Sequence, residues 1–214
     1  EAYLLWKHLV YPYVYDLQQK PSLIPLPQIL RWTDKEFTLF NCKTIFISDN
    51  ALMPDALRLQ NELKLKGIDV TVRKGNTDGQ HDISLKLGKV ASPQLAKEAY
   101  VLDVKEQNIS IAANTTHGIF NGLQTLYQLM RDDVFVNGCT ITDWPAFSWR
   151  GYMVDVGRNY MSMNLLKQQI DMMGRYKLNV FHFHATEDIA WRLQSKLYPQ
   201  LTAPEFMLRN KGMY

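Results

Sequence analysis

The chain has little cysteine, no long apolar run and almost no excess of either charge. Cys42 and Cys139 are the two cysteines among 214 residues, so neither a disulfide framework nor a C-x-x-C zinc motif is predicted. No stretch approaches the roughly 20 apolar residues of a membrane-spanning helix. Lysine and arginine number 24 against 21 aspartates and glutamates, a net charge of +3. This small, scattered excess does not predict a nucleic-acid partner.

What remains is the composition of a globular protein. Hydrophobic residues make up 46% and charged residues 21%, which excludes disordered and fibrous classes. Residues 1–20 are rich in tyrosine, but charge interrupts their apolar stretch and no A-x-A cleavage site follows. We therefore predict an aromatic N-terminal arm there, and not an intact signal peptide. Residues 21–142 and 143–214 differ in pattern, which predicts two domains.

Residues 21–142 predict an α+β domain. Apolar periodicity indicates helices over residues 51–66 and 116–131. Gly118 and Gly122, one turn apart in the second helix, predict a close approach to a sheet. Strands are expected at 38–47, 68–72, 83–87, 100–104 and 109–113. Short loops between most of them favour an antiparallel sheet with its helices on one face.

Residues 143–214 predict a β-α-β unit. Strands are expected at 149–156 and 178–184, and a helix at 165–176 with Ser162 as its N-cap. Strands joined by such a crossover are parallel, so their carboxyl ends meet at one edge of the sheet. That edge is where catalytic residues gather in βα-barrels.

Polar residues follow both of these strands. Arg158 follows the first, and Glu187 follows the second, so we expect both to project toward one site. An arginine there offers a rigid fork of donors for sugar hydroxyls or carboxylates, and a nearby carboxylate would hold it in place. A purely structural ion pair is the alternative.

An H-x-H pattern on the second strand is also typical of a metal site. Strand alternation places His182 and His184 on one face. Two imidazoles so placed bind a divalent metal in metal-dependent amidohydrolases. The further ligands of such a centre are not identifiable, so a metal-dependent hydrolase stays an alternative.

Several motifs, in order along the chain, resemble family 20 glycoside hydrolases, the β-N-acetylhexosaminidases. Residues 149–159 read W-R-G-Y-M-V-D-V-G-R-N, similar to the W-R-G-x-x-x-D-x-S-R-H that opens the family's catalytic barrel. Further matches are Y-K-L-N-V-F-H-F-H at 176–184, T-E-D-I-A-W-R at 186–192 and Y-P-Q-L-T at 198–202. Upstream, L-I-P-L-P-Q at 23–28 and T-H-G-I-F-N-G-L-Q-T-L at 116–126 resemble the start and the last helix of the family's preceding domain.

The resemblance implies an accessory α+β domain followed by the first β-α-β portion of an incomplete (β/α)8 TIM barrel. Such enzymes remove terminal N-acetylglucosamine or N-acetylgalactosamine from glycans with retention, using the substrate's acetamido oxygen as nucleophile. An adjacent Asp-Glu pair assists, and neither metal nor organic cofactor is needed. A secreted, periplasmic or cell-surface location is implied as well.

Residue roles are implied position by position. Arg158 matches the arginine that hydrogen-bonds the sugar's outer hydroxyls, and Glu187 matches an aspartate beside it. His184 and Asp188 match supports of the same strand end. Three further motif residues are expected to be structural: Arg150, Asp155 and Trp191.

The chain departs from the pattern in three ways. The dipeptide Asp-Glu is absent from the sequence; the family carries it on the fourth barrel strand. Residues 143–214 are too few for a barrel of about 250 residues, so we expect a truncated chain that is inactive alone. Glu187 replaces Asp, Asn159 replaces His, and residues 189–190 replace Gln-Gly.

A non-catalytic carbohydrate-binding or scaffold module is the alternative function. Exposed partial-barrel surfaces predict self-association.

Overall fold

The structure is a computed structural model and describes residues 20–77, 80–92, 96–130, 135–188 and 190–203. Residues 1–19 of the predicted aromatic arm lie outside this described part. The chain divides into two compact units, Glu1–Ala146 and Phe147–Tyr214. Within the described ranges, no helix is both long enough and apolar enough to cross a membrane.

The described residues of the first unit form one seven-stranded sheet and two α-helices. Helix α1 is Met53–Leu65 and helix α2 is Thr116–Met130. Across the sheet the strand order is β1-β7-β5-β6-β4-β2-β3. The strands are β1 Ile29–Thr38, β2 Thr44–Ile47, β3 Thr71–Lys74, β4 Asp82–Leu87, β5 Tyr100–Val104, β6 Asn108–Ala113 and β7 Phe135–Asp143.

The α+β architecture predicted for this unit is confirmed, but the sheet is mixed and not antiparallel throughout. Strands β1, β7, β5 and β6 pair antiparallel, whereas β6, β4, β2 and β3 pair parallel. The parallel half arises because α1 lies between β2 and β3, a crossover that returns the chain in the same direction. Helices α1 and α2 contact each other and the sheet, so both cover one face.

The two glycines of α2 bring that helix against the sheet, as the sequence predicted. A Cβ on Gly118 would lie 2.5 Å from the carbonyl oxygen of Ala99 and 2.7 Å from Cβ of Ala113. A Cβ on Gly122 would lie 2.6 Å from Cγ2 of Ile111. Neither distance is compatible with a side chain in an unchanged backbone, so both glycines are required by close packing.

The described part of the second unit is the β-α-β segment that the sequence predicted, followed by a small hairpin. Strands β8, Gly151–Asp155, and β9, Val180–His184, pair parallel around helix α3, Met163–Arg175. Ser162 caps α3 as predicted, because its Oγ accepts from the backbone N–H of Leu165 at 3.3 Å. A small buried cluster of Val154, Val156, Leu166 and Ala185 joins the elements. Strands β10, Thr186–Glu187, and β11, Ala190–Trp191, form the hairpin.

Candidate functional site

The site lies where the parallel pair β8 and β9 ends. The two strands are in register, so Asp155 at the end of β8 lies opposite His184 at the end of β9. Arg158 follows Asp155 after one turn, and Glu187 follows His184 in β10. Parallel register thus gathers four polar side chains from two distant chain segments at one edge.

Arg158 is held by two carboxylates. Its backbone N–H donates to Oδ1 of Asp155 at 3.0 Å, and its Nε donates to Oδ2 at 2.5 Å. Its Nη2 lies 3.5 Å from Oε1 of Glu187. The side chain of Arg158 is still 60% exposed, so the guanidinium also faces solvent where a ligand could approach.

His184 supports Glu187 from the other side. Its Nε2 lies 2.9 Å from Oε1 of Glu187, the same oxygen that faces Arg158, although without the alignment of a hydrogen bond. The Glu187 carboxylate therefore lies between an imidazole and a guanidinium. This order, Asp155–Arg158–Glu187–His184, is the arrangement that we name the arginine cluster.

The electrostatics of the arginine cluster follow from these contacts. The backbone N–H of Arg158 stabilises the charged Asp155 carboxylate first, and the guanidinium adds a hydrogen bond and its positive charge. Together they hold the pKa of Asp155 below its ordinary value of 3.8. The hydrogen bond to Asp155 in turn raises the pKa of Arg158 above its ordinary value, and the charges of Asp155 and Glu187 contribute.

We predict that Arg158→Ala raises the pKa of Asp155 part of the way toward 3.8, its ordinary value, because the guanidinium is lost while the backbone N–H of residue 158 remains. Because the pKa is lowered by folding, the pair's stabilising effect is full above the ordinary value and is lost as pH falls through the lowered one. A ¹³C NMR titration of the Asp155 carboxyl in both variants measures this shift. Lys167→Ala, which removes an exposed charge from α3, serves as control. An unchanged Asp155 titration in Arg158→Ala would contradict the assignment.

Arg192 fixes the segment that carries Arg158. Its Nε donates to the carbonyl oxygen of Val156 at 2.8 Å, and its Nη2 donates to that of Gly157 at 3.3 Å. Its backbone N–H donates to the carbonyl oxygen of Ala185 at 3.0 Å. Arg192 thereby ties the residues after β8 to the residue after β9. Sequence reasoning quoted this arginine only as part of a motif.

The remaining candidates have other surroundings. Asp188, a predicted support, is exposed in the turn between β10 and β11. Arg150 precedes β8, at its opposite end, and donates from Nε to the carbonyl oxygen of Lys177 at 2.8 Å. The indole Nε1 of Trp191 donates to the carbonyl oxygen of Leu193. Arg150 and Trp191 thus both donate to main-chain oxygens, and such contacts hold the local backbone in place.

The H-x-H strand contributes only one of its two histidines to a group with metal-ligand spacing among the described residues. In the described part of the chain, donor atoms of Asp155, His184 and Glu187 lie within 4.8 Å of one another, a spacing that suits a metal. His182 is not in this group and is exposed. Arg158 already pairs with both carboxylates, and its positive charge opposes a divalent cation. The geometry favours an arginine that receives a polar ligand.

Family models match both units. The model described as glycosyl hydrolase family 20, domain 2, matches residues 20–144. The model of the glycosyl hydrolase family 20 catalytic domain matches residues 147–211. Together they cover most of the chain.

Individual relatives agree with the family models. A β-hexosaminidase of Porphyromonas gingivalis is 35% identical in an alignment of 191 positions that covers 85% of this chain and 24% of that protein. The human β-hexosaminidase subunit beta is 36% identical over 55% of this chain and 20% of its own length. An exo-β-N-acetylglucosaminidase of Vibrio harveyi, solved with N-acetylglucosamine, gives a TM-score of 0.73 at 30% identity, covering 86% of this chain and 28% of that one. The chain thus spans about a quarter of these relatives.

Proposed function

Because this chain belongs to glycosyl hydrolase family 20, we propose that it is part of a β-N-acetylhexosaminidase that removes terminal N-acetylhexosamine from glycans. The observation that carries the proposal is Arg158, held by Asp155 and Glu187 at the carboxyl edge of two parallel strands with part of its guanidinium exposed. The relatives named β-hexosaminidase support the reaction.

The charges of the arginine cluster support a neutral sugar as its ligand. The arginine cluster sets two carboxylates against one guanidinium. An anionic ligand is disfavoured by that balance, whereas a sugar hydroxyl accepts from Arg158 and donates to a spare carboxylate lone pair. The planar fork of Arg158 suits two neighbouring hydroxyls of one ring.

The residues of this chain bind and orient the sugar in the proposed reaction. Arg158 donates to the outer hydroxyls, and Asp155, Glu187 and His184 position its guanidinium. The acetamido oxygen of the substrate attacks the anomeric carbon, and an acid protonates the leaving oxygen. An Asp-Glu pair for these last steps is absent from the 214 residues.

An assay with a chromogenic N-acetylglucosaminide tests the proposal. The complete enzyme of which we propose this chain to be a part is expected to turn over, and the chain alone is not. Turnover by the chain alone that is abolished in Glu187→Gln would overturn the division of roles. Micromolar binding of N-acetylglucosamine to the chain alone, lost in Arg158→Ala, would favour the alternative of a non-catalytic carbohydrate-binding module.

Terminal N-acetylhexosamine is carried by glycans, so we propose glycans as the partner of the complete enzyme. We propose a secreted, periplasmic or cell-surface location as well, as the family resemblance implies. Fractionation of the source cells with an antibody to the chain tests it.

We propose that the isolated chain self-associates through the second unit. Strands β8 and β9 form a two-stranded sheet that leaves large apolar side chains exposed. These are Tyr152, Met153 and Phe183, which are 39%, 51% and 37% exposed. Exposed apolar strands with unpaired edges drive association.

Sedimentation velocity is expected to give dimers or larger species at micromolar concentrations, and Met153→Lys is expected to shift them toward monomer. Leu65→Lys is the matched control, because Leu65 is an isolated apolar residue on α1 and 84% exposed. A wild-type chain that stays monomeric over a hundredfold concentration range contradicts this prediction.

A further inference from the structure

Gly157 lies against the side chain of Glu187. A Cβ on Gly157 would be 3.1 Å from Cγ of Glu187, 3.4 Å from its Cβ and 3.3 Å from Oδ1 of Asp155. The backbone of Gly157 is not in the left-handed region, so conformation alone does not require glycine there. The constraint is space: a Cβ at residue 157 would crowd the Cγ methylene of Glu187, so that side chain would have to move by a few tenths of an ångström.

Gly157 and Glu187 both differ from the residues that the family 20 motifs carry at these positions. The W-R-G-x-x-x-D-x-S-R-H pattern carries serine at the position of Gly157. The family motif that matches residues 186–192 carries aspartate at the position of Glu187. This chain therefore loses a side chain at one position and gains a methylene at another, and the two changes meet in space.

We propose that Gly157 and Glu187 are a matched positioning pair. The glycine makes room for the longer side chain, and the carboxylate thereby lies between Arg158, at 3.5 Å, and His184, at 2.9 Å. The pair acts on the ligand only through Arg158. That consequence rests on the proposed function, whereas the coupling between Gly157 and Glu187 does not.

The backbone of Gly157 cannot retreat freely from Glu187. Its carbonyl oxygen accepts from Nη2 of Arg192 at 3.3 Å, and the preceding carbonyl, of Val156, accepts from Nε of the same arginine at 2.8 Å. A larger residue at position 157 therefore displaces the side chain of Glu187 instead. Its carboxylate then moves relative to Arg158 and His184.

Three variants of the full 214-residue chain test the pair: Gly157→Ser, Glu187→Asp and both together. The readouts are the ¹⁵N resonances of the Arg158 Nε–H and the His184 imidazole, with denaturant unfolding measured in parallel. Each single change is expected to shift both resonances, and the double variant is expected to restore them. The unfolding equilibrium constant of the double variant should be about fivefold or more below the value that the two single changes predict by addition of free energies.

Gly88→Ser is the matched control, because a Cβ on Gly88 has nothing within 4 Å, and it should leave both resonances unchanged. If Gly157→Ser does not fold alone, recovery of a folded chain in the double variant supports the pair. Shifts that simply add, or an unshifted Glu187 environment in Gly157→Ser, overturn it. No sugar enters these measurements, so their failure is distinct from a failure of the glycosidase assay.

Discussion

Arg158→Ala in the complete enzyme is expected to lower kcat/KM for an N-acetylglucosaminide by about 100-fold or more. A charge-assisted hydrogen bond contributes about 1.5–3 kcal/mol, and each 1.4 kcal/mol is a factor of ten. Removal of the guanidinium also leaves Asp155 and Glu187 facing each other without a cation. Ligand contact and site geometry are therefore lost together.

Arg158→Lys separates these two effects. Lysine keeps the positive charge between the carboxylates but lacks the fork that contacts two hydroxyls. We expect an intermediate fall in kcat/KM for Arg158→Lys, with a higher KM as well as a lower kcat. Lys167→Ala is the control, because it also removes a positive charge but lies on the exposed face of α3 and leaves the arginine cluster unchanged.

Melting temperature must be measured beside kinetics. The side chain of Arg158 is 60% exposed, and an ion pair with a solvent-exposed partner contributes little to stability. A change in activity without a comparable change in melting temperature is therefore expected. An Arg158→Ala enzyme with more than half of the wild-type kcat/KM would contradict the role of Arg158 in sugar binding.

The second unit was predictable because its signals are local. Ser162 begins α3 through a contact three residues away, and period 3.6 determines which face of the helix is buried. Two strands joined by one helix leave a parallel pair as the simple solution. The observed register, Asp155 opposite His184, then brings the site residues together as expected.

The first sheet was only partly predictable because its edge strands carry weak signals. Strand β1 exposes most of its residues and contains an irregularity between Trp32 and Glu36, which breaks its alternation. Strand β7 contains Gly138, whose missing Cβ leaves room for Thr33 and Lys35 of β1. Such a glycine looks like a turn in the sequence. Neither strand was predicted, and strand direction depends on pairing partners far away along the chain.

The arginine cluster shows the same division. The proximity of Arg158 and Glu187 followed from parallel strand ends. The closer partner, Asp155, did not, because its contact depends on the turn geometry after β8. Arg192 was missed because it binds main-chain oxygens, and those leave no residue-type signal. The sequence therefore predicts which segments meet, whereas the atoms that pair depend on turn geometry and main-chain contacts.

Gly118→Ala is expected to destabilise the first unit by about 2 kcal/mol, although alanine is the better helix former. Helix propensity alone favours alanine over glycine by about 1 kcal/mol. Against it stands a Cβ placed 2.5 Å from the carbonyl oxygen of Ala99. Backbone oxygen cannot rotate away, so α2 must move off the sheet, and overpacking of this kind costs about 1–3 kcal/mol or more.

Gly122→Ala should have a smaller effect. Its Cβ would lie 2.6 Å from Cγ2 of Ile111 and 3.1 Å from Cδ2 of Tyr100, and these side-chain atoms can shift more easily than the backbone oxygen that Gly118 faces. The expected order of stability is therefore wild type, Gly122→Ala, then Gly118→Ala. This order distinguishes close packing from helix propensity, which predicts that both changes stabilise.

Thermal unfolding of the first unit, followed by circular dichroism, measures the order. A loss of about 2 kcal/mol corresponds to a fall of roughly 5–10 °C in a domain of this size. Gly88→Ala is the control, because a Cβ there meets nothing within 4 Å and should shift stability by less than about 0.5 kcal/mol. A higher melting temperature for Gly118→Ala would mean that α2 does not rest on the sheet through Gly118. The close approach of helix and sheet would then lose its explanation.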